Sequence, residues 1–248
     1  MKLNKIDPKF TSKANPRIGL ITLGSDFRIE KDFNNVIYGK NIDLFVNRIH
    51  CYNPLTNKTL AKMADDITDV TKEILPGEKL DCVAYGCTSG TVAAGFEAIK
   101  KKVNLAKPEA KVTTPITSAI KILKKMNIVN ISVFTPYTDS INQSVVEYFK
   151  ESGINVKVLH YFDIASDIDI GKVDSTYLFE VLSNLDLDKS DALFISCTAL
   201  PALDLIERLE KKLDRLVLSS NQTLIWEALN LVGNKELIKG YGKIFDIN

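Results

Sequence analysis

With 248 residues, 45% of them hydrophobic and 25% charged, the chain is long enough for one large α/β domain or two halves of roughly 120 residues each. Its 32 Lys and Arg against 31 Asp and Glu leave a formal charge of +1, so no global field favours nucleic acid or an anionic membrane as a partner. Residues 1–16 carry lysines but no apolar signal-peptide core, and no later run approaches the roughly 20 apolar residues of a membrane helix, which predicts a cytoplasmic protein.

In chain order, short apolar runs alternate with longer amphipathic ones. RIGLITL (17–23) reads as a strand, 31–45 as a helix, VNRIHCY (46–52) as a strand, 57–75 as a helix, DCVAYG (81–86) as a strand and 89–103 as a helix. Such βαβα alternation argues for parallel sheets covered by helices. From residue 130 the series recurs: NISVFTP, helix, NVKVLHYF, helix, DALFISC, helix, RLVLSS, helix. RIGLITLGSD (17–26) aligns with NISVFTPYTD (130–139), VNRIHCYN (46–53) with VKVLHYFD (156–163), and DCVAYGCT (81–88) with DALFISCT (191–198). AKVTTPITSAI (110–120) matches DRLVLSSNQTLI (214–225) as a strand that ends in small hydroxyl residues before a helix. Four blocks in one order predict an internal duplication. The expected architecture is α/β, with two pseudo-symmetric lobes, each a mostly parallel sheet flanked by helices. Residues 16–115 with 222–248 form the first lobe and 116–221 the second. Open α/β sheets bind ligands at their strand C-termini, which here face each other across a cleft.

Four cysteines, at 51, 82, 87 and 197, lack the dense spacing of a disulfide framework and read as reduced thiols. The two histidines, His50 and His160, stand at no zinc-site spacing to a cysteine pair and read as repeat-equivalent core or edge residues of strands. Cys51 and Cys82, inside strands, read as small hydrophobes. Cys87 and Cys197 differ. Each follows a strand and is expected to open a helix, with Thr88, Ser89 and Gly90 in one first turn and Thr198 and Ala199 before Pro201 in the other. A lone thiol there is more simply explained by packing, but its repetition at equivalent ends of both halves points to chemistry. The helix N-terminus is expected to lower both pKa values toward thiolate.

Two facing thiols suit two reactions. One thiolate can remove a proton from a carbon while the other thiol delivers one to the opposite face, which inverts a stereocentre without a cofactor. Alternatively, a thiolate adds to an activated alkene, the bond rotates, and elimination gives the other geometric isomer. Both need donors for a substrate carboxylate, and the backbones at 88–90 and 198–199, with Thr113-Thr114 and Ser219-Ser220-Asn221, supply them. No GxGxxG follows the first strand and no GxxxxGK[ST] occurs, which disfavours a nucleotide site. Lysines 100–102 and 211–212 read as solvated helix faces.

The motifs RIGLITLGSDFRIEKDF, YGCTSGT, VTTPITSAIKIL, FTPY, FISCTALPALDLIERLE and VLSSNQTLIWEAL resemble those of the aspartate/glutamate racemase superfamily over residues 16–233. Within it the chain is most similar to the maleate cis-trans isomerase and arylmalonate decarboxylase branch, especially the ectoine-utilisation proteins of the EutA type. The resemblance implies a cofactor-independent isomerase acting on a small carboxylate as a homo-oligomer. It makes Cys87 and Cys197 the catalytic pair and Tyr137 a donor to a substrate carboxylate. The decarboxylase branch retains only the second cysteine, so two favour isomerisation or racemisation. Ala199 stands where glutamate racemases typically carry His, which sets the chain apart from them. Maleate isomerases place Asn where this chain has Asp26, and a second family Asn aligns with Asp167. An ionised carboxylate repels a substrate carboxylate but suits an ammonium or amide N–H, so the substrate is expected to carry nitrogen, as an amino acid or an ectoine-derived acyl diamino acid does. Capping of the following helix is the other role open to Asp26. Maleate isomerase activity and a catalytically silent binding protein are the alternative readings.

Overall fold

The computed structural model describes residues 1, 3–11 and 14–246, and the apolar runs of the sequence become eight strands in two four-stranded sheets. The first sheet holds β1 (Arg17–Leu23), β2 (Asp43–Ile49), β3 (Cys82–Gly86) and β4 (Lys111–Thr113), in the order β2-β1-β3-β4. The second holds β5 (Asn130–Thr135), β6 (Asn155–Tyr161), β7 (Ala192–Ile195) and β8 (Leu216–Ser219), in the order β6-β5-β7-β8. All pairings are parallel. The identical strand order carries the duplication from sequence into topology. Inner strands β1, β3, β5 and β7 are buried almost throughout and edge strands β2 and β6 only in part. This explains why the inner runs lack polar alternation, since helices cover both of their faces.

The first half contributes helices α1 (Ile29–Ile37), α2 (Asn57–Met63), α3 (Ile67–Lys72), α4 (Thr88–Ala94) and α5 (Phe96–Ala106). From α6 (Pro115–Lys125) the chain crosses to α7 (Asp139–Glu151), α8 (Asp167–Ile170), α9 (Ser175–Ser183), α10 (Ile206–Leu213) and α11 (Ser220–Leu231). None of the helices among the described residues is long and apolar enough to cross a membrane. Helix α11 follows the last strand of the second sheet yet packs on α6, β3 and β4 of the first half. Thr223 Oγ1 donates to Pro115 O at 3.0 Å and Lys121 pairs with Glu227 at 2.6 Å. A capping box between Ser219 and Gln222 fixes where α11 begins, and thereby places Ser220 and Asn221 at the sheet edge.

Three expectations are corrected. The helix over 31–45 is shorter: α1 ends at Ile37, Gly39 turns the chain at φ +74°, and residues 43–45 already pair with β1. The stretch 89–103 is two helices, because Gly95 at φ +81° breaks it. The histidines are not equivalent. Asn47 lies opposite Ile21 and His160 opposite Phe134, so the counterpart of His160 is Asn47. His50 stands exposed beyond the end of β2, edge-on to Tyr52 at 4.4 Å, while His160 Nε2 donates to Asp186 O at 2.8 Å. Matching the two His residues shifts the alignment of this edge strand by three positions.

Candidate active site

Strand β3 ends at Gly86, and Cys87 takes an extended N-cap conformation, φ −146°, at the start of α4. Its Sγ accepts from Gly90 N at 3.2 Å, and Ser89 Oγ stands 3.9 Å away. Thr91 N donates to Cys87 O at 3.1 Å, the first bond of the helix. The missing side chain of Gly90 matters as well, since a Cβ on it would lie 2.8 Å from both Cys87 Sγ and Tyr85 Oη.

Cys197 is held differently, against expectation. Strand β7 ends at Ile195, no helix opens at Thr198 or Ala199, and the chain passes through bends to a 3-10 turn at Leu203–Leu205 before α10. The residue equivalent to Thr91 is Pro201, which has no N–H to donate to the Cys197 carbonyl, so the first helical bond cannot form. Cys197 instead sits at φ +92°, a region that costs a non-glycine residue roughly 1–3 kcal/mol and persists only where surrounding contacts enforce it. Those contacts are Cys197 N to Ser220 Oγ at 3.0 Å and, at the sulfur, Ala199 N–H and the Tyr137 hydroxyl.

The two cysteine loops are tied together reciprocally. Ser220 Oγ accepts from both Thr88 Oγ1, at 2.8 Å, and Cys197 N, while Thr198 Oγ1 donates to Gly86 O at 3.3 Å. Tyr137 is buried on the loop after β5, oriented by Thr135 and Asn142; Ser196 Oγ donates to its Oη at 3.3 Å, and the ring hydroxyl feels both sulfurs. Thus Cys87, Thr88, Ser89, Gly90, Tyr137, Cys197, Thr198 and Ala199, drawn from distant parts of the sequence, converge on one buried place.

Asp26 and Asp167 belong to the same place. Asp26 Oδ1 accepts from Arg28 N at 2.7 Å and Ile29 N at 3.1 Å, which caps α1, but its Oδ2 is buried without a hydrogen-bond partner, with the Thr198 side chain beside the carboxylate. Asp167 starts α8; its Oδ2 accepts from Ser25 Oγ at 2.5 Å and its N–H donates to Asn53 Oδ1 at 3.2 Å. A third carboxylate, Asp32 on α1, was not legible in the sequence. Asn221 Nδ2 donates to Asp32 Oδ2 at 2.7 Å and to Thr198 O at 2.9 Å, leaving Asn221 Oδ1 buried and unpartnered. Cys51 lies beyond β2 rather than inside it, half-buried beside Ser25 and near Asp167 and Asp26, whereas Cys82 is a fully buried strand residue, as expected. Loops after β1, β2 and β6 close over the group: the Arg28 guanidinium donates to Gly171 O at 3.0 and 3.3 Å, and Leu55 N to Ala165 O at 2.9 Å.

Electrostatics overturn the expected thiolates. Burial pushes the Cys87 thiol up to about 12 and the Cys197 thiol well above its ordinary value, and the charge of Asp167 raises both; the Gly90 and Ala199 N–H groups pull the other way without prevailing. Helix α4 is only seven residues long, and among the described residues the main influences on either sulfur include no cation to offset desolvation. Burial also lifts Asp26 above the usual carboxylate range, Asp167 to about 6 and Asp32 to about 7. The folded protein therefore retains protons on Asp167 and Asp32 that the unfolded chain releases near pH 4, so stability falls as pH rises from about 4 to about 7. Melting temperatures measured from pH 4.5 to 8 are expected to decline through this window, and Asp32→Asn to flatten the decline; an unchanged slope in the variant would remove Asp32 as its source.

The family model described as arylmalonate decarboxylase matches residues 54–245. The maleate isomerase of Geobacillus stearothermophilus is 25% identical over 198 residues, covering 77% of this chain and 78% of that protein. The arylmalonate decarboxylase of Bordetella bronchiseptica is 26% identical over 137 residues, covering 54% and 57%. Among solved structures, a Nocardia farcinica maleate cis-trans isomerase mutant with a covalently bound succinylcysteine intermediate superimposes with a TM-score of 0.85 at 19% identity, over 94% of this chain and 99% of that one. Built on two parallel four-stranded sheets and matched from the loop after β2 to the C-terminal turn, the chain belongs to the arylmalonate decarboxylase family.

Proposed function

We propose that the protein is a cofactor-independent isomerase that uses Cys87 and Cys197 as a proton-transferring pair on a small carboxylic acid bearing nitrogen. The single observation that carries this reading is the reciprocal tie of the two cysteine loops through Ser220, Thr88, Thr198 and Gly86, which gathers one thiol from each half into one buried site. In the racemising form, one thiolate takes the α-proton and becomes a thiol, the electron pair is held on the substrate carboxylate, and the opposing thiol delivers its proton to the other face. Tyr137, Ser89 and the backbone N–H groups of the two loops are the donors for that carboxylate.

The nitrogen follows from the acceptors. Asp26 Oδ2 and Asn221 Oδ1 are buried without donors, and Asp167 adds a further carboxylate that the charges at both sulfurs register. A cationic nitrogen among them supplies the missing donor. It also offsets the Asp167 charge that adds to burial in raising both thiols, so binding and thiolate formation reinforce each other. Among such acids, the resemblance to EutA-type proteins favours acylated diamino acids of ectoine breakdown.

A second reading, isomerisation of maleate to fumarate through a covalent cysteine adduct, is favoured by what the Geobacillus and Nocardia relatives are named for. Proton NMR in deuterium oxide separates the two. Exchange at the α-carbon of amino acids or acyl diamino acids, with slow turnover of maleate, is the expected outcome; rapid formation of fumarate without any exchange would establish the second reading in place of the first.

A further inference from the structure

Tyr85 lies in β3 opposite Ile21, two residues before Cys87, and is 1% exposed. Its hydroxyl has no hydrogen-bond partner, although a buried phenol ordinarily finds one. Tyr85 Oη and Cys87 Sγ border the same small space, each 2.8 Å from the point a Cβ on Gly90 would occupy. The fold does not demand a tyrosine here. The equivalent strand β7 places Ile195 at this position, 110 residues on, fully buried and opposite Phe134. A hydroxyl therefore stands where an aliphatic side chain serves the other half, and it borders the Cys87 sulfur, which changes character during the proposed reaction.

We propose that Tyr85 is a positioning residue for Cys87, its hydroxyl unpartnered while the sulfur is a thiol and donating to that sulfur once it is a thiolate. A thiol sulfur is a weak acceptor and a thiolate a strong one, so the hydrogen bond forms mainly in the ionised state and favours it. Burial keeps the phenol itself protonated, and contact with the Cys87 sulfur adds to this effect. The hydroxyl thus stays a donor and never competes as a base. Tyr137 stands in the same relation to Cys197 but comes from the loop after β5. Each thiol then has one phenol, supplied from positions that the duplication does not relate. Gly90 serves this arrangement twice, since it donates its N–H to the sulfur and leaves the hydroxyl room.

This assignment rests on the use of Cys87 proposed above, but its test needs no substrate. Full-length wild type, Tyr85→Phe and Tyr137→Phe are alkylated with iodoacetamide between pH 7 and 10, and each cysteine is followed separately by peptide mass spectrometry. In Tyr85→Phe, alkylation of Cys87 is expected to slow about tenfold at every pH of this range, all of which lies below its raised pKa, while Cys197 keeps its profile. Tyr137→Phe gives the converse. Phenylalanine preserves the ring and removes an unpartnered hydroxyl, so the melting temperature of Tyr85→Phe is expected to hold or rise, which separates the effect from misfolding. An unchanged Cys87 profile in Tyr85→Phe, or a wild-type Cys87 as inert as Cys82, would overturn the assignment. Retention of turnover by Cys87→Ser would instead defeat the two-thiol reading and leave the alkylation result standing.

Discussion

Serine in place of Cys197 is expected to lower kcat about 10³-fold, Cys87→Ser to do the same, and the double variant to be little worse than either alone. The serine hydroxyl is close in size and can accept the same backbone N–H groups, so neither single variant loses more than a few degrees of melting temperature. What changes is the acid–base chemistry, because an alkoxide is far harder to form than a thiolate in a site where burial has already raised the thiols. Non-additivity follows from the division of labour, since a proton removed on one face is useful only if another arrives on the opposite face. Steady-state turnover of the substrate identified by NMR, with a thermal melt on each variant, checks both parts. A double variant whose loss equals the product of the two single losses would mean that the thiols act independently.

The second large effect is expected at Asp26. Its Oδ1 caps α1 through Arg28 N and Ile29 N, and only Oδ2 lacks a donor. In Asp26→Asn the amide oxygen keeps the cap, and the Nδ2 group replaces an acceptor with a donor where Oδ2 stood. Preference for a nitrogen-bearing acid over maleate, measured as the ratio of kcat/KM values, is expected to fall about 10²-fold, with maleate gaining as the other substrate loses. Removing a buried carboxylate that is held above its ordinary pKa is also expected to leave the fold as stable or more so at pH 8. An unchanged ratio would return Asp26 to a purely structural capping role.

These expectations divide between what the sequence carries and what only the folded chain supplies. The two sheets and their common order were legible because inner parallel strands are written as unbroken apolar runs, and because YGCT and ISCT repeat at one spacing. The edge strand misled, since His50 and His160 look alike in sequence while pairing register aligns His160 with Asn47. The loop at Cys197 misled for a local reason that was visible in principle: Pro201 occupies the position of Thr91 and forbids the helix that Cys87 begins.

The site residues show the same division. Cys87, Cys197, Tyr137, Asp26 and Asp167 could be singled out from motifs and resemblance, and the fold brings them together. Asp32 and Tyr85 could not, because one sits on an amphipathic helix and the other in an apolar strand, and only the tertiary fold sets them beside Thr198 and Cys87 through Asn221 and Gly90. The thiol pKa values went the wrong way for a related reason. Helix position is a property of the sequence, whereas desolvation and the charge of Asp167, 80 residues from Cys87, belong to the folded chain.

The central claim is that one thiol from each half works on opposite faces of one carbon. Its most direct test follows α-proton exchange in deuterium oxide for each enantiomer of the substrate separately, in wild type, Cys87→Ser and Cys197→Ser. The account predicts that wild type exchanges both enantiomers, that each variant loses exchange preferentially from one, and that the two variants lose opposite ones. Retention of both exchanges in both variants would contradict it.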